Sequence, residues 1–411
     1  LDVIQVPGST LGGDLIAAAV TADIERVLKT VRQHLGMDVA FVSNVIGDRR
    51  IFRYVEGQTD RVLLRPGDAG PLDESYCQRI LDGRLPELMP DTTQVPEATA
   101  MPVTSDMPIG AHMSVPLRFS DGSIYGTFCC FSHEARPSLN PRDLDVMRAF
   151  AEITAHQIEL RETARREAAV KRARIEAVLA AGGPTMLFQP IIMLSDQRVV
   201  GVEALARFSA EPLRTPDKWF AEAADVGLRI ELETAAIRNA IESWHGIWAD
   251  LPLQLGLNCS PTTIIEGRLE DLFRDLPADR IVLELTEHDQ VEDYLILNDR
   301  LRPLRDLGVK VAIDDTGSGY ASMRHILTTR PNIIKLDISL TKRIDLDPMR
   351  RALAEALIGF ATGFGGRVVA EGVETERELE ALRAIGVQAA QGYHIARPMT
   401  VPAFRQFLAR R

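Results

Sequence analysis

The chain has 411 residues, 45% of them hydrophobic, enough for two or three ordinary domains with packed cores, which excludes a disordered polymer. Its formal charge of −11 excludes broad duplex nucleic-acid binding, which relies on Lys and Arg neutralising phosphates, and means that any phosphate ligand would need metal ions to offset the protein's own acids. No run of roughly eighteen apolar residues occurs and the first residues lack a basic-then-apolar pattern, so neither a membrane span nor a secretory signal is expected and the chain reads as cytoplasmic.

From Asp14 to Leu35 the stretch DLIAAAVTADIERVLKTVRQHL has helical apolar periodicity. VAFVSNVIGDRRIFRYV follows as two strand-like runs joined around Gly47-Asp48, the pattern of a hairpin. AHMSVPLRF and IYGTFCCFS form a second pair across Asp121-Gly122, and the helical PRDLDVMRAFAEITAHQIEL closes an α+β module. Cys77, Cys129, Cys130 and Cys259 show neither zinc spacing nor the density of a disulfide framework; they read as buried spectators in a reducing compartment.

ESYCQRILDGRLPELMPDT, IGAHMSVPL and DGSIYGTFCCFS together resemble the GAF family of small sensory domains, over residues 14 to 160. The resemblance implies a sensor fold and admits a small ligand, such as a cyclic nucleotide or a metabolite, or none. A thiol-linked bilin would attach at Cys77, but Gln78 stands where chromophore-binding relatives more often have His, which favours a packed cysteine.

Residues 158 to 181 are charged and Ala-rich, with Leu160, Ala164, Ala168, Ile175 and Leu179 at helical spacing. They read as a solvated linker helix or as a signalling helix that pairs with its twin in a homodimer, and the position between two modules favours the second. Gly182 to Pro184 breaks the helix, giving a sensor at 1–160, a helical linker at 161–183 and an effector at 184–411. The effector shows eight short apolar runs alternating with helical stretches: MLFQPII, VVGVEALAR, LQLGLN, IVLELTE, VKVAIDD, IIKLD, RVVAEGVE and VQAAQGY. This is the pattern of an α/β, TIM-like (β/α)8 barrel, whose chemistry sits at the carboxyl ends of the strands.

Polar residues gather at those ends: Glu203, Asn258, Glu284, Asp314, Asp315, Asp337 and Glu371. Singly, each has a structural explanation. Glu203 could pair with Arg207 on the same strand face, Asn258 could cap a helix, and Asp315 could stabilise the glycine turn that follows it. Collectively, so many carboxylates at one mouth demand cations, because like charges raise one another's pKa values. With only oxygen donors available, magnesium or manganese is expected over zinc, and a pair of such ions suits in-line displacement at phosphorus.

FQPI, EALAR, LNCS, LELTE, AIDDTGSGYAS, IKLD, AEGVE and QGYHIARP, in this order from 184 to 411, closely resemble the EAL domains, phosphodiesterases that linearise cyclic di-GMP. The resemblance implies that Glu203, Asn258, Glu284 and Asp314 bind metal, with Asp315 and Asp337 serving a second ion. It matches Lys335 to the lysine that contacts the attacking water or the phosphate, and Glu371 to a general base or further ligand. Gln189, Arg207 and Gln391 match positions that bind substrate or support the site, and Glu287 matches the glutamate that holds the loop Asp315 to Ser322. Bottom-up chemistry agrees for Lys335 and Asp337: two apart on one strand, both can face the mouth. The loop departs from the usual DDFGxGYSS in having Thr316 for Phe and Ala321 for the first Ser, although Gly317, Gly319 and both acids are kept.

The reading is a sensor-regulated phosphodiesterase that hydrolyses cyclic di-GMP to pGpG with two magnesium or manganese ions, acting as a homodimer with an unidentified ligand at the sensor. The competing readings are a catalytically silent receptor that binds cyclic di-GMP and signals to a protein, and a scaffold; retention of every matched ligand argues against both. No GGDEF signature is present, so synthesis of cyclic di-GMP is not expected.

Overall fold

The computed structural model describes residues 11–57, 64–285, 291, 293–316 and 321–410 and, within them, all side chains but those of 11–19, 315–316, 321–323 and 325. The chain folds as two units, Leu1–Ala169 and Val170–Arg411. In the first, helix α1 (Leu11–Leu35) precedes a hairpin of β1 (Val39–Ile46) and β2 (Arg49–Glu56). Gly47, at φ 60°, supplies its left-handed turn. Then come β3 (Ala69–Pro71), α2 (Tyr76–Leu81), β4 (Leu88–Met89), two short helices, α3 (Pro96–Thr99) and α4 (Pro102–Asp106), and the expected second pair, β5 (Ala111–Arg118) and β6 (Ile124–Ser132). The strands form one antiparallel sheet in the order β3-β2-β1-β6-β5-β4.

Alternating side chains divide this sheet's apolar residues between two cores. Ala40, Val42, Met113, Phe128 and Cys130 pack with Leu28 and Val31 of α1 and with Met147 and Ala155 of a long helix, α5 (Pro141–Ala180). Phe41, Cys129 and Phe131 face the other way, toward Tyr76, Cys77 and Ile80 of α2. Burial on both faces explains why the centre of β6, Phe128 to Phe131, is continuously apolar and not alternating.

The last turns of α5 belong to the second unit. Ile175, part of the linker's expected stripe, is buried there with Val178 against Trp219 and Leu232, whereas Leu160 is exposed. Trp219 lies on α6 (Pro216–Asp225) and Leu232 on α7 (Arg229–Trp248). All eight expected runs are strands: β7 (Thr185–Met193), β8 (Val199–Arg207), β9 (Gln254–Asn258), β10 (Ile281–Leu285), β11 (Lys310–Thr316), β12 (Ile333–Leu336), β13 (Arg367–Ala370) and β14 (Ala389–Ala390). They close into a barrel in the order β10-β11-β12-β13-β14-β7-β8-β9. The strict parallel pattern fails at one place: β7 is antiparallel to both β8 and β14. The segment 194–198 is too short for a helical crossover, so β7 and β8 form a hairpin. No helix among the described residues is long and apolar enough to cross a membrane.

Candidate active site

In the barrel strands, residues committed to the outer core alternate with residues that point inward. Val202 and Ala204 flank Glu203, Leu283 and Leu285 flank Glu284, Ile313 precedes Asp314, and Ile334 and Leu336 flank Lys335; all these apolar neighbours share one core with the surrounding helices. The polar members are thereby forced inward. Asn258 ends β9, while Glu371 and Gln391 directly follow β13 and β14, which brings them to the same mouth.

Lys335, only 1% exposed, stands at the centre. Its Nζ lies 2.6 Å from Glu371 Oε1, 2.7 Å from Glu284 Oε2, 3.2 Å from Glu203 Oε2 and 3.3 Å from Asp314 Oδ1. Asn258 Nδ2 donates to Glu203 Oε1 at 3.0 Å, and Gln391 Nε2 donates to Glu203 Oε2 at 2.5 Å and to Glu371 Oε1 at 3.1 Å. Beneath the acids, Val282, Ile333 and Val369 line an apolar cavity that Glu284 and Lys335 also reach.

Among the described residues, four acids, three buried and Glu371 half-buried, therefore gather around one base. Burial pushes the Glu284 carboxyl up to about 8 against the pull of Lys335, and burial likewise holds Glu371 well above the usual carboxylate range. Burial would raise Glu203 too, but Lys335 and the two amides hold it below its ordinary value. Burial would lower Lys335, yet the surrounding carboxylates keep its ammonium well above normal. Full ionisation of the four acids requires further positive charge. Glu203, Glu284 and Asp314 each offer an oxygen within 4.8 Å of the others, and buried Gln391 Oε1 has no hydrogen-bond partner. These hard oxygens and the excess negative charge fit magnesium or manganese.

The remaining candidates occupy other places. Gln189 sits opposite Glu203 across β7 and β8, and its Nε2 donates to Ala396 O at 3.0 Å. Arg207 does not pair with Glu203 as the structural explanation required; its Nη1 donates to Ala206 O at 2.7 Å, and the partners of Glu203 are Lys335, Asn258 and Gln391. Asp337 lies one position past β12 and caps the helix Ile338–Thr341, its Oδ1 accepting from Ser339 N at 2.8 Å. The side chain of Asp315 and the whole of Glu287 fall outside the described residues. Beside the acids, Arg207, Asp217, Phe220 and Asn258 line a cleft of about 430 Å³.

The EAL domain model matches residues 170–398, more than half of the chain, and the GAF domain model matches residues 22–158. The chain belongs to the EAL domain family. A cyclic di-GMP phosphodiesterase of Pseudomonas aeruginosa is 31% identical over 246 residues, 57% of this chain and 42% of that protein. A protein of Escherichia coli K12 named as a probable cyclic di-GMP phosphodiesterase is 32% identical over 230 residues, 54% of this chain and 42% of its own length. The chain thus spans less than half the length of either relative. Among solved structures, the PaMucR phosphodiesterase in complex with c-di-GMP is 25% identical with a TM-score of 0.51, covering 57% of this chain and 99% of that one.

Two supports of the EAL site escape the sequence reading. Glu233 of α7 is buried, and its Oε2 accepts from Ser260 N at 2.9 Å and Ser260 Oγ at 2.8 Å, fixing the segment that begins with Asn258. The available signal is an acid on a helix face that Ala236, Ile237 and Ala240 mark as buried. Gly256 is the second: a Cβ there would collide with Glu284 Oε1, so only glycine leaves this carboxylate in place.

Proposed function

We propose that the chain is a metal-dependent phosphodiesterase that hydrolyses cyclic di-GMP to linear pGpG, tuned by its GAF unit through α5. The observation that carries this reading is the set of four carboxylates around Lys335, with more negative charge than one ammonium balances. The adjoining cleft, lined by both Arg207 and Phe220, has a size suited to a nucleotide. The relatives named as cyclic di-GMP phosphodiesterases support the choice of substrate. Glu203, Asn258, Glu284 and Asp314, with Asp315 and Asp337 for a second ion, are the proposed ligands of magnesium or manganese. Such ions, when bound, supply Lewis-acid neutralisation of phosphate charge and make an attacking water more acidic.

In the reaction, the water oxygen bonds to phosphorus, the bond to the 3′ oxygen breaks and that oxygen takes up a proton, leaving a 5′-phosphate on the product. Lys335 is suited to stabilising charge on the phosphate oxygens because its ammonium is buried and already positioned. Glu371 Oε1, held by Lys335 and by Gln391 Nε2, is the proposed acceptor of the water's proton. Asn258 and Gln391 orient Glu203, while Gln189, Arg207 and Glu287 support substrate or loop.

The test is chromatography of cyclic di-GMP incubated with the purified full chain and magnesium, manganese or chelator. Appearance of pGpG that depends on metal is expected. Binding of the dinucleotide without turnover under both metals would instead make the protein a receptor.

A further inference from the structure

Two of the four cysteines are placed for chemistry. Consecutive positions on β6 send Cys130 and Cys129 to opposite faces of the GAF sheet. Cys130 lies among apolar side chains, and burial pushes its thiol far up, as expected of a spectator. Cys129 instead meets Cys77 of α2, Sγ to Sγ at 4.0 Å. Hydroxyl groups surround the pair: Thr127 Oγ1 donates to Cys77 Sγ at 3.1 Å and accepts from Cys129 Sγ at 3.1 Å, with Ser43 Oγ 3.6 Å from Cys77 and Ser114 Oγ 3.1 Å from Cys129. Arg50 Nη1 stands 4.0 Å from Cys77 Sγ.

This arrangement treats the two sulfurs differently. The bond from Cys129, donors around Cys77 and the guanidinium beside it overcome burial and hold the Cys77 thiol well below its ordinary value. Burial and the neighbouring Cys77 hold Cys129 well above. A small cavity reaches Cys77, lined also by Arg50, Tyr76 and His112. Within it His112 is 2% exposed with Nδ1 lacking a hydrogen-bond partner, and Arg50 Nε is likewise buried and unpartnered, so the cavity offers unused polar groups to a small polar guest.

We propose that Cys77 and Cys129 form a redox-active dithiol that a hydroperoxide converts to an intramolecular disulfide within the GAF unit. The Cys77 thiolate attacks one peroxide oxygen and the O–O bond breaks; the other oxygen leaves as hydroxide, or as alkoxide from an organic hydroperoxide, and takes up the proton that Cys77 released on ionising, giving water or alcohol. Cys77 is then a sulfenic acid. Cys129 gives its proton to the departing hydroxyl, by way of Thr127, as its sulfur bonds to Cys77; the S–O bond breaks and a second water leaves. With hydrogen peroxide, two thiols and one peroxide give one disulfide and two waters, the sulfurs being oxidised and the peroxide oxygens reduced. In a reducing compartment such a bond is transient and can be undone by thiols, as suits a sensor.

The experiment exposes the reduced full chain to hydrogen peroxide, blocks the remaining thiols after unfolding and maps the peptides. Two of the four thiols should disappear together in one Cys77–Cys129 cross-linked peptide, and dithiothreitol should restore them. The Cys129→Ser variant should accumulate sulfenic acid at Cys77, trapped by dimedone, whereas Cys77→Ser should slow peroxide consumption by about tenfold or more. Persistence of all four free thiols in the wild type, or a disulfide between other cysteines, would overturn the proposal. The wild-type map needs no variant to fold, and its outcome is independent of phosphodiesterase activity.

Discussion

Replacing Lys335 with methionine keeps the length of the buried stem but removes the ammonium that four acids surround, three of them buried and Glu371 half-buried. In chelator, the stranded charge must be relieved by protonating at least one more carboxyl. For a group of ordinary pKa 4.5 at about pH 7.5, this spans roughly three units at about 1.4 kcal/mol each, or about 4 kcal/mol. The figure agrees with the ~3–5 kcal/mol lost when one partner of a buried ion pair is deleted. All three tryptophans, Trp219, Trp244 and Trp248, belong to the EAL unit, so urea unfolding followed by tryptophan fluorescence reports on that unit. Carboxyls whose folded pKa is raised contribute stability at low pH and lose it as pH rises through the folded value. The variant's deficit should therefore shrink by about 2–3 kcal/mol on going from about pH 7.5 to 5.5. Added magnesium should restore more stability to the variant than to the wild type, without restoring hydrolysis. Equal stability of the two proteins in chelator at about pH 7.5 would refute the reasoning, because it would mean that the acids do not depend on Lys335.

Glu203→Ala should abolish appearance of pGpG while leaving the circular dichroism spectrum unchanged, and a wild-type rate would remove Glu203 from the site. Gly256→Ala should displace the Glu284 carboxylate, lowering turnover by about tenfold or more for a stability cost of about 1–3 kcal/mol; chromatography and urea unfolding separate the two effects. Burial, aided by Arg50, lowers His112 from 6.5 to about 3, so its contribution to GAF stability is complete above pH 6.5 and is lost as pH falls below it, at about 1.4 kcal/mol per unit. Calorimetry of His112→Phe should accordingly show a smaller acid-induced loss for the GAF unit than the wild type. Glu222 accepts from Arg174 of α5 at 2.9 and 3.0 Å and from Arg214 at 2.5 Å, so Glu222→Gln should cost the EAL unit about 2 kcal/mol and expose the last turns of α5 to hydrogen exchange.

Much of this was legible because barrel strands write themselves plainly. Val202-Glu203-Ala204 and Leu283-Glu284-Leu285 put one acid between two core residues, and such a triplet fixes both the strand and the direction in which its acid points. What stayed hidden depends on contacts between distant segments. That Gln391 bridges Glu203 and Glu371 follows from closure of the barrel, which places β14 beside β7 and one strand from β8. Asp337 has a further part that its two-residue spacing from Lys335 does not announce: the strand ends at Leu336, and its Oδ1 caps the helix that follows. The meeting of Cys77 with Cys129, 52 positions apart, carries no local signal at all.

The reversal of β7 also decides where the barrel can be pushed. Were the first strand parallel to the rest, the chain would come in at the closed floor, and a displacement there would have to cross the whole packed interior to reach the acids. Here Thr185 lies opposite Arg207 at the rim, and four residues later Gln189 is already level with Glu203. Asn239 Nδ2 grips the incoming segment through Gly182 O and Pro184 O, while backbone bonds between Phe188 and Met399 pin the strand from its other side. Under the proposed tuning through α5, a twist of its last turns would enter at the lip of the mouth through a short, tethered stretch of chain, with a lever arm between input and chemistry of less than half a strand.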